Sequence, residues 1–328
     1  MTKRFDAVAL GEALIDLTGL AGERTLYVPA PGGAPANMLA MLSRLGRRTA
    51  FLGKVGDDAF GRLLRQKMTE AGICTDALRA DPLRPTTLAV VSTDEAGERS
   101  FSFYREEGAD RFLSPEEVDV SLLRDARCFH FGSLSLTHET NRAATVFALE
   151  AAKAAGCLIS FDPNLRPRLW RDLTQARRQI AWGVAQAHAV KLSLDEARFL
   201  LEDDSLTLAA AALVLRALYP GVRLLSVTDG ENGSLCAFGD PSETVFTPAV
   251  LTKKTCNTTG AGDCFGACMV DMLLRGEPLT AETVRAAAGF AAAAAAYVTT
   301  CPGALAVMPA PETVTRFLEE ISREKEEP

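Results

Sequence analysis

Short apolar runs alternate along the chain with longer stretches whose hydrophobic residues recur at helical spacing. AVALG precedes PANMLAMLSRLG, and TAFLGKVG precedes FGRLLRQKMTEAG. CFHFG is followed by TNRAATVFALEAAKAAG, LISFDPN by LTQARRQIAWGVAQA, and AVKLS by DEARFLL, with LLSVTDG closing the series. Such alternation is the mark of βα units, and this many units predict a doubly wound, mostly parallel sheet with helices on both faces.

Two segments break the rhythm. One runs from about Thr18 to Pro31. The other is TTLAVVSTDEAGERSFSFYRE, in which β-favouring residues flank an Asp-Glu-Ala-Gly turn. The second reads as a hairpin with the first as its partner, so lid strands are expected at about residues 17–31 and 86–106. A small sheet assembled from two separated insertions is suited to covering a site and not to folding alone. One main domain spanning residues 1–328, with a lid, is the expected organisation.

Composition narrows the function. The chain has 328 residues, 48% hydrophobic and 23% charged, which suffices for a large core. A formal charge of -7 argues against nucleic acid or an anionic membrane as partner, because extended phosphate binding requires a basic face. At the amino terminus Asp6, Glu12 and Asp16 interrupt what would have to be an apolar signal core, and no segment approaches a membrane span. The expectation is a soluble, cytoplasmic protein. Its eight cysteines contain no CxxC pair, which fits reduced thiols. Cys264 and Cys268 share a helical face but lack a second pair or nearby histidines, so burial is expected for them and not metal ligation.

The strongest chemical signal is Asn257-Thr258-Thr259-Gly260-Ala261-Gly262-Asp263, followed by CFGACMVDMLLRG with helical periodicity ending at Gly276. A glycine-rich loop opening a helix leaves backbone N–H groups unpaired beside the positive end of the helix dipole, which makes an anion hole. Gly260 and Gly262 admit a phosphate close to the backbone, and Asp263 falls in the first helical turn. A carboxylate there can align a hydroxyl nucleophile and accept its proton during phosphoryl transfer. The same residues also fit an ordinary Asp-bearing helix start after a glycine turn.

Over nearly its whole length the sequence resembles the PfkB (ribokinase-like) family of carbohydrate kinases. The resemblance rests on Gly32-Gly33-Ala34-Pro35-Ala36-Asn37 with the helix to Gly46, and on Thr258 to Asp263, in that order and at the proper separation. It implies a ribokinase-like fold, ATP and Mg²⁺ as cofactors, and Asp263 as the catalytic carboxylate, served by Gly260, Ala261 and Gly262. It assigns Asp16, at the carboxyl end of the first strand, to the sugar hydroxyls, with Gly32, Gly33 and Asn37 in the same pocket. Phe103 and Arg105 would reach the substrate from the lid, as in fructokinase-like and 2-keto-3-deoxygluconate kinase-like members. Within Asp162-Pro163-Asn164-Leu165-Arg166, Asn164 is assigned to the phosphates and Arg166 to the substrate. Lys191 is assigned to the nucleotide, and Glu196 to Mg²⁺ through water. Ser193 and Glu196 also read as a capping box, which can coexist with that role. Thr228, Gly230 and Gly233 of TDGENG would border the nucleotide, although no Walker A loop follows.

Two departures from the family pattern matter. Asn257 stands where most relatives carry Asp, which weighs against activation by a monovalent cation. The helix around Phe290 to Tyr297 is nearly all alanine, so adenine is expected to be held by packing. The resemblance implies an ATP-dependent sugar kinase acting on fructose, because FYREEGADRFL and FDPNLRPRLW look most like fructokinases. Alternative substrates are 2-keto-3-deoxygluconate, whose carboxylate would suit Arg105 and Arg166, and a riboside of the aminoimidazole type. A non-catalytic sugar- or nucleotide-binding protein would be expected to lack Asp263. A nicotinamide oxidoreductase would need an amino-terminal GxGxxG that VALGEALIDL does not supply. In relatives the lid often pairs with a second lid, so a homodimer is expected.

Overall fold

The computed structural model describes residues 3–19, 26–93, 99–239 and 243–326. Fourteen strands are present among them. They are β1 (Phe5–Leu10), β2 (Leu14–Gly19), β3 (Tyr27–Gly32), β4 (Thr49–Gly56), β5 (Ile73–Cys74), β6 (Leu78–Asp81) and β7 (Leu88–Thr93), then β8 (Arg99–Tyr104), β9 (Ala126–Gly132), β10 (Leu158–Asp162), β11 (Ala189–Ser193), β12 (Leu224–Thr228), β13 (Ser234–Phe238) and β14 (Thr244–Thr247). Ten of them form one sheet in the order β14-β13-β12-β11-β10-β9-β1-β4-β5, with β6 also paired to β4. Pairing is parallel from β12 through β9 and β1 to β4, β5 and β6, and antiparallel between β12, β13 and β14.

The strands are continuous apolar runs because helices cover both faces. Along β1, Val8 and Leu10 join one core with Phe129, Phe131, Ile159 and Phe161, whereas Ala7 and Ala9 join the other with Phe51, Cys128 and Leu224. Alanines on the second face leave room for close approach of the helices Ala34–Arg44, Ala261–Arg275 and Ala281–Thr299. Cys264 and Cys268 are buried there as small apolar residues, as expected. From β1 the chain winds one way to β4 and β5, and from β9 the other way to β12. The crevice at the carboxyl ends of β1 and β9 is therefore the switch point at which open α/β sheets bind ligands.

The lid is a separate four-stranded sheet in the order β3-β2-β7-β8. β7 and β8 form the expected antiparallel hairpin, and β2 joins it in parallel. The Asp-Glu-Ala-Gly turn at 94–97, and part of the Thr18 to Pro31 segment, lie outside the described residues. One expectation is corrected. The run VALGEALIDL is not a single strand with Asp16 at its end, because β1 stops at Leu10 and the chain crosses through Gly11, Glu12 and Ala13 into β2. Asp16 therefore lies within the lid sheet. The crossover packs tightly, since a Cβ at Gly11 would come within 2.6 Å of the Pro35 ring.

Candidate active site

The glycine-rich loop is built as the helix-start chemistry requires. Asn257 Oδ1 accepts from the Thr259 amide at 3.0 Å, turning the chain into Gly260. Gly260 takes the left-handed φ of +85° as the cap of the helix Ala261–Arg275, and a Cβ there would meet Ala304 at 2.8 Å, so only glycine fits without strain. Gly276, again left-handed, ends the helix as the sequence predicts.

A second helix start faces this one. Gly33 opens the helix Ala34–Arg44 with φ of +119°, and a Cβ there would lie 2.4 Å from the Glu12 carbonyl oxygen. With no capping side chain at Gly33, the Ala34 amide is taken instead by Glu12 Oε1 at 3.1 Å. One turn on, Asn37 Nδ2 donates to Asp263 Oδ2 at 2.8 Å and joins the two helix starts. Burial pushes the Asp263 carboxyl up to about 6, and the neighbouring Asp162 carboxylate adds to this. The Asn37 hydrogen bond and the charges of Lys191 and Arg166 oppose it.

A charged cluster lies behind the loop. Lys191 Nζ pairs with Asp162 Oδ2 at 3.2 Å, and a Cβ on Gly262 would lie 2.8 Å from that ammonium, which places it directly under the loop. Burial alone would lower Lys191, but Asp162, Glu196 and Asp263 outweigh it and hold the ammonium above its ordinary value. Lys191 lies outside the lining of the nucleotide-sized cleft described below. Asp162 also accepts from the Asn164 amide at 3.1 Å, and Asn164 adopts the left-handed φ of 44° that asparagine tolerates in such a turn. Glu196 completes the capping box: Oε2 accepts from the Ser193 amide at 2.8 Å and Ser193 Oγ accepts from the Glu196 amide at 3.1 Å. Its Oε1 accepts from the Leu165 amide at 2.7 Å, so both carboxylate oxygens serve the backbone, and burial raises its pKa. Among the described residues no group of three or more His, Cys, Asp or Glu side chains is arranged as a metal cage.

The lid presents one row of paired residues, Ala30, Asp16, Ala89 and Phe103, across its four strands. Paired neighbours share a face, so the two alanines leave space beside Asp16 and Phe103 supplies an apolar wall. Asp16 Oδ2 lies 3.1 Å from where a Cβ on Gly32 would be, which explains the glycine there. Burial pushes Asp16 up to about 6, against a pull from Arg166. Arg166 itself is exposed and acts on both Asp16 and Asp263.

Arg105 is engaged more closely by the protein than the sequence suggests. Its guanidinium is buried, donating through Nε to Asp110 Oδ2 at 2.8 Å, through Nη1 to Thr137 Oγ1 at 2.9 Å and through Nη2 to the Leu134 carbonyl at 3.0 Å. A protein carboxylate already stands opposite it.

On the far side of the glycine loop lies a cleft of about 490 Å³, a size that suits a nucleotide. Thr228, Gly230 and Gly233 border it, as do Ala261 and Gly262. Ala292, Ala295 and Ala296 of the alanine-rich helix, with Val250 and Leu251, form its apolar lining. Asn164 lies outside this lining. Sequence reasoning missed Val250 and Leu251, although their apolar side chains in a loop were a usable signal. It also missed Asp162, which stands inside a motif already singled out, and Glu12, whose signal was only a charged residue following an apolar strand.

This geometry has close counterparts. The description "pfkB family carbohydrate kinase" matches residues 4–311. Fructokinase-2 of Solanum habrochaites is 38% identical over 309 residues, 92% of each chain. Among solved structures, fructokinase with bound ATP from Xylella fastidiosa superposes with a TM-score of 0.86 at 31% identity, covering 96% of this chain and 99% of that one. Fructokinase from Vibrio cholerae O395, in its fructose-, ADP- and calcium-bound form, gives a TM-score of 0.85 at 32% identity with the same coverage. The match across nearly the whole chain, together with two facing helix starts that hold a carboxylate beside a nucleotide-sized cleft, makes this protein a member of the pfkB family of carbohydrate kinases, phosphotransferases with an alcohol group as acceptor.

Proposed function

We propose that the protein transfers the γ-phosphoryl group of ATP to a hydroxyl of fructose. The observation that carries this reading is the Asn37–Asp263 hydrogen bond, next in sequence to Ala261 and Gly262 of the nucleotide cleft and under the charge of Arg166, which also acts on Asp16 of the lid. With Oδ2 held by Asn37, the carboxylate is oriented to take a hydroxyl proton on its other oxygen. Asn37 Oδ1 is buried without a partner, an acceptor that a sugar hydroxyl would satisfy. Asp16 accepts further hydroxyls from the lid side, and the amides at Gly262 and Asp263 face the transferring phosphate. In a loose phosphoryl-transfer transition state, catalysis is chiefly positioning and charge stabilisation, which these elements supply.

A divalent cation bound with ATP would supply neutralisation of the charge that develops on the phosphates. Asp162, Glu196 and Asp263 outnumber the cations Lys191 and Arg166, and this excess of negative charge fits a hydrated Mg²⁺, which Asp162 and Glu196 would hold through its own waters. Asn257, occupied with the Thr259 amide, offers no charge to a monovalent ion. The pairing of Arg105 with Asp110 favours a neutral sugar over 2-keto-3-deoxygluconate, because only Arg166 remains to meet a substrate carboxylate. Exposed Tyr27, Val28 and Tyr104 on the lid support a homodimer formed there, and the absence of a membrane-length apolar helix among the described residues is compatible with a cytoplasmic enzyme.

In a coupled assay with ATP, fructose is expected to give a higher kcat/KM than 2-keto-3-deoxygluconate or aminoimidazole riboside; preference for either of the others overturns the fructose assignment. Asp263→Asn should lower kcat by about 100- to 10,000-fold, the usual worth of a general base, and an unchanged kcat would remove Asp263 from that role. Because protonated Asp263 cannot accept the hydroxyl proton, kcat/KM should climb as pH rises through about 6 and then level off. Asp16 titrates in the same range and steepens the climb, so a profile flat across that range contradicts both placements. Light scattering should return about twice the chain mass of 35.0 kDa, and a monomer at micromolar concentration would exclude the lid dimer.

A further inference from the structure

The four lid strands share one point of attachment. β2 begins two residues after Glu12, and β3 ends at Gly32, two residues before Ala34, whose amide Glu12 holds. β7 begins directly after Thr87, and β8 ends directly before Arg105. Thr87 and Arg105 meet at Asp110 in one buried polar node, and the charge of Glu12 is felt there. Thr87 Oγ1 donates to Asp110 Oδ1 at 2.5 Å, and Arg105 pairs with Asp110 Oδ2 at 2.7 Å while also donating to the Leu134 carbonyl just beyond β9. The Thr87 carbonyl accepts from the Ile15 amide at 3.1 Å, binding the bases of β2 and β7. Glu12, Thr87, Arg105 and Asp110 are 1% to 4% exposed, and none of them lines the nucleotide cleft.

We propose that this node sets the attitude of the lid against the main sheet, and that Glu12 is the positioning residue that transmits it to the helix carrying Asn37, and so to the acceptor sugar. Three observations support the role of Glu12. Its carboxylate takes the first amide of that helix, a half-buried donor that the glycine cap leaves unsatisfied. Its carbonyl oxygen stands 2.4 Å from where a Cβ on Gly33 would be, so the crossover and the start of the helix approach closely. Its charge is coupled to both Arg105 and Asp110. Burial pushes its carboxyl up to about 7, with Arg105 pulling down and Asp110 pushing up. The node is dense as well as buried. A Cβ at Gly108 would fall 2.0 Å from Thr87 Oγ1 and 3.0 Å from Asp110 Oδ1.

The proposal rests on the sugar-kinase reading but not on the choice of sugar, so its test uses whichever acceptor the wild-type chain turns over best. Glu12→Ala strands the Ala34 amide and should raise KM for the acceptor by about 10-fold, with KM for ATP within about twofold of wild type. Glu12→Gln retains a carbonyl oxygen for Ala34 and should restore the acceptor KM to within about threefold of wild type. A folded Glu12→Ala enzyme with unchanged acceptor KM, or with both KM values raised alike, overturns the proposal. So does Glu12→Gln behaving like Glu12→Ala. If Glu12→Ala does not fold, Thr87→Val cuts the same node at Asp110 and should raise the acceptor KM several-fold while sparing ATP; an unaltered acceptor KM in that variant is equally fatal. A wild-type chain that phosphorylates no sugar would refute the kinase reading instead, a result separate from any of these.

Discussion

The hydrogen bond from Asn37 to Asp263 is the contact on which the functional geometry depends. It ties together residues 226 positions apart, on two helices each opened by a glycine in a left-handed or otherwise positive-φ conformation. Helix starts are rich in unpaired donors and favour negative charge. Two of them brought face to face create a region where a carboxylate, a phosphate and a hydroxyl can be gathered without a large protein charge of opposite sign. The parallel sheet makes this possible by delivering both helices to the carboxyl ends of its central strands.

Electrostatics then refine the site. Asp263 is buried beside Asp162 yet within reach of Lys191 and Arg166, so its proton affinity lies well above that of an exposed carboxylate while it remains ionised at neutral pH. Lys191 sits under Gly262 and not in the nucleotide cleft, and it offsets part of the carboxylate charge from behind. The same density of carboxylates that raises these proton affinities is what a phosphate-bound cation would relieve.

Much of this was legible in the sequence because it is local. The βα alternation follows from hydrophobic periodicity, the loop from Asn257 to Asp263 from its glycines, and the Ser193–Glu196 box from a spacing of three. What periodicity reports is burial, and it does not report partners. Arg105 at the end of an aromatic strand reads as a reaching side chain, and only the folded chain shows that Asp110, in the short turn that follows, has claimed it. Glu12 reads as an interruption in an apolar run, because its partner amide at Ala34 lies across an intervening lid hairpin. The break of VALGEALIDL into two strands escaped for a related reason: both halves are apolar, and the crossover between sheets leaves no signature beyond Gly11.

The placement of Asp16 on the lid, with Asp263 on the main domain, has a consequence for selectivity against water. In the proposed mechanism the carboxylate that grips the acceptor lies on the lid sheet, and the one that takes its proton lies at the start of a main-domain helix. A sugar presents several hydroxyls, one for each carboxylate, whereas a water molecule has a single oxygen. In the proposed mechanism the nucleophile is therefore checked for size as well as chemistry, and ATP is guarded from futile hydrolysis by the division of one site between two bodies.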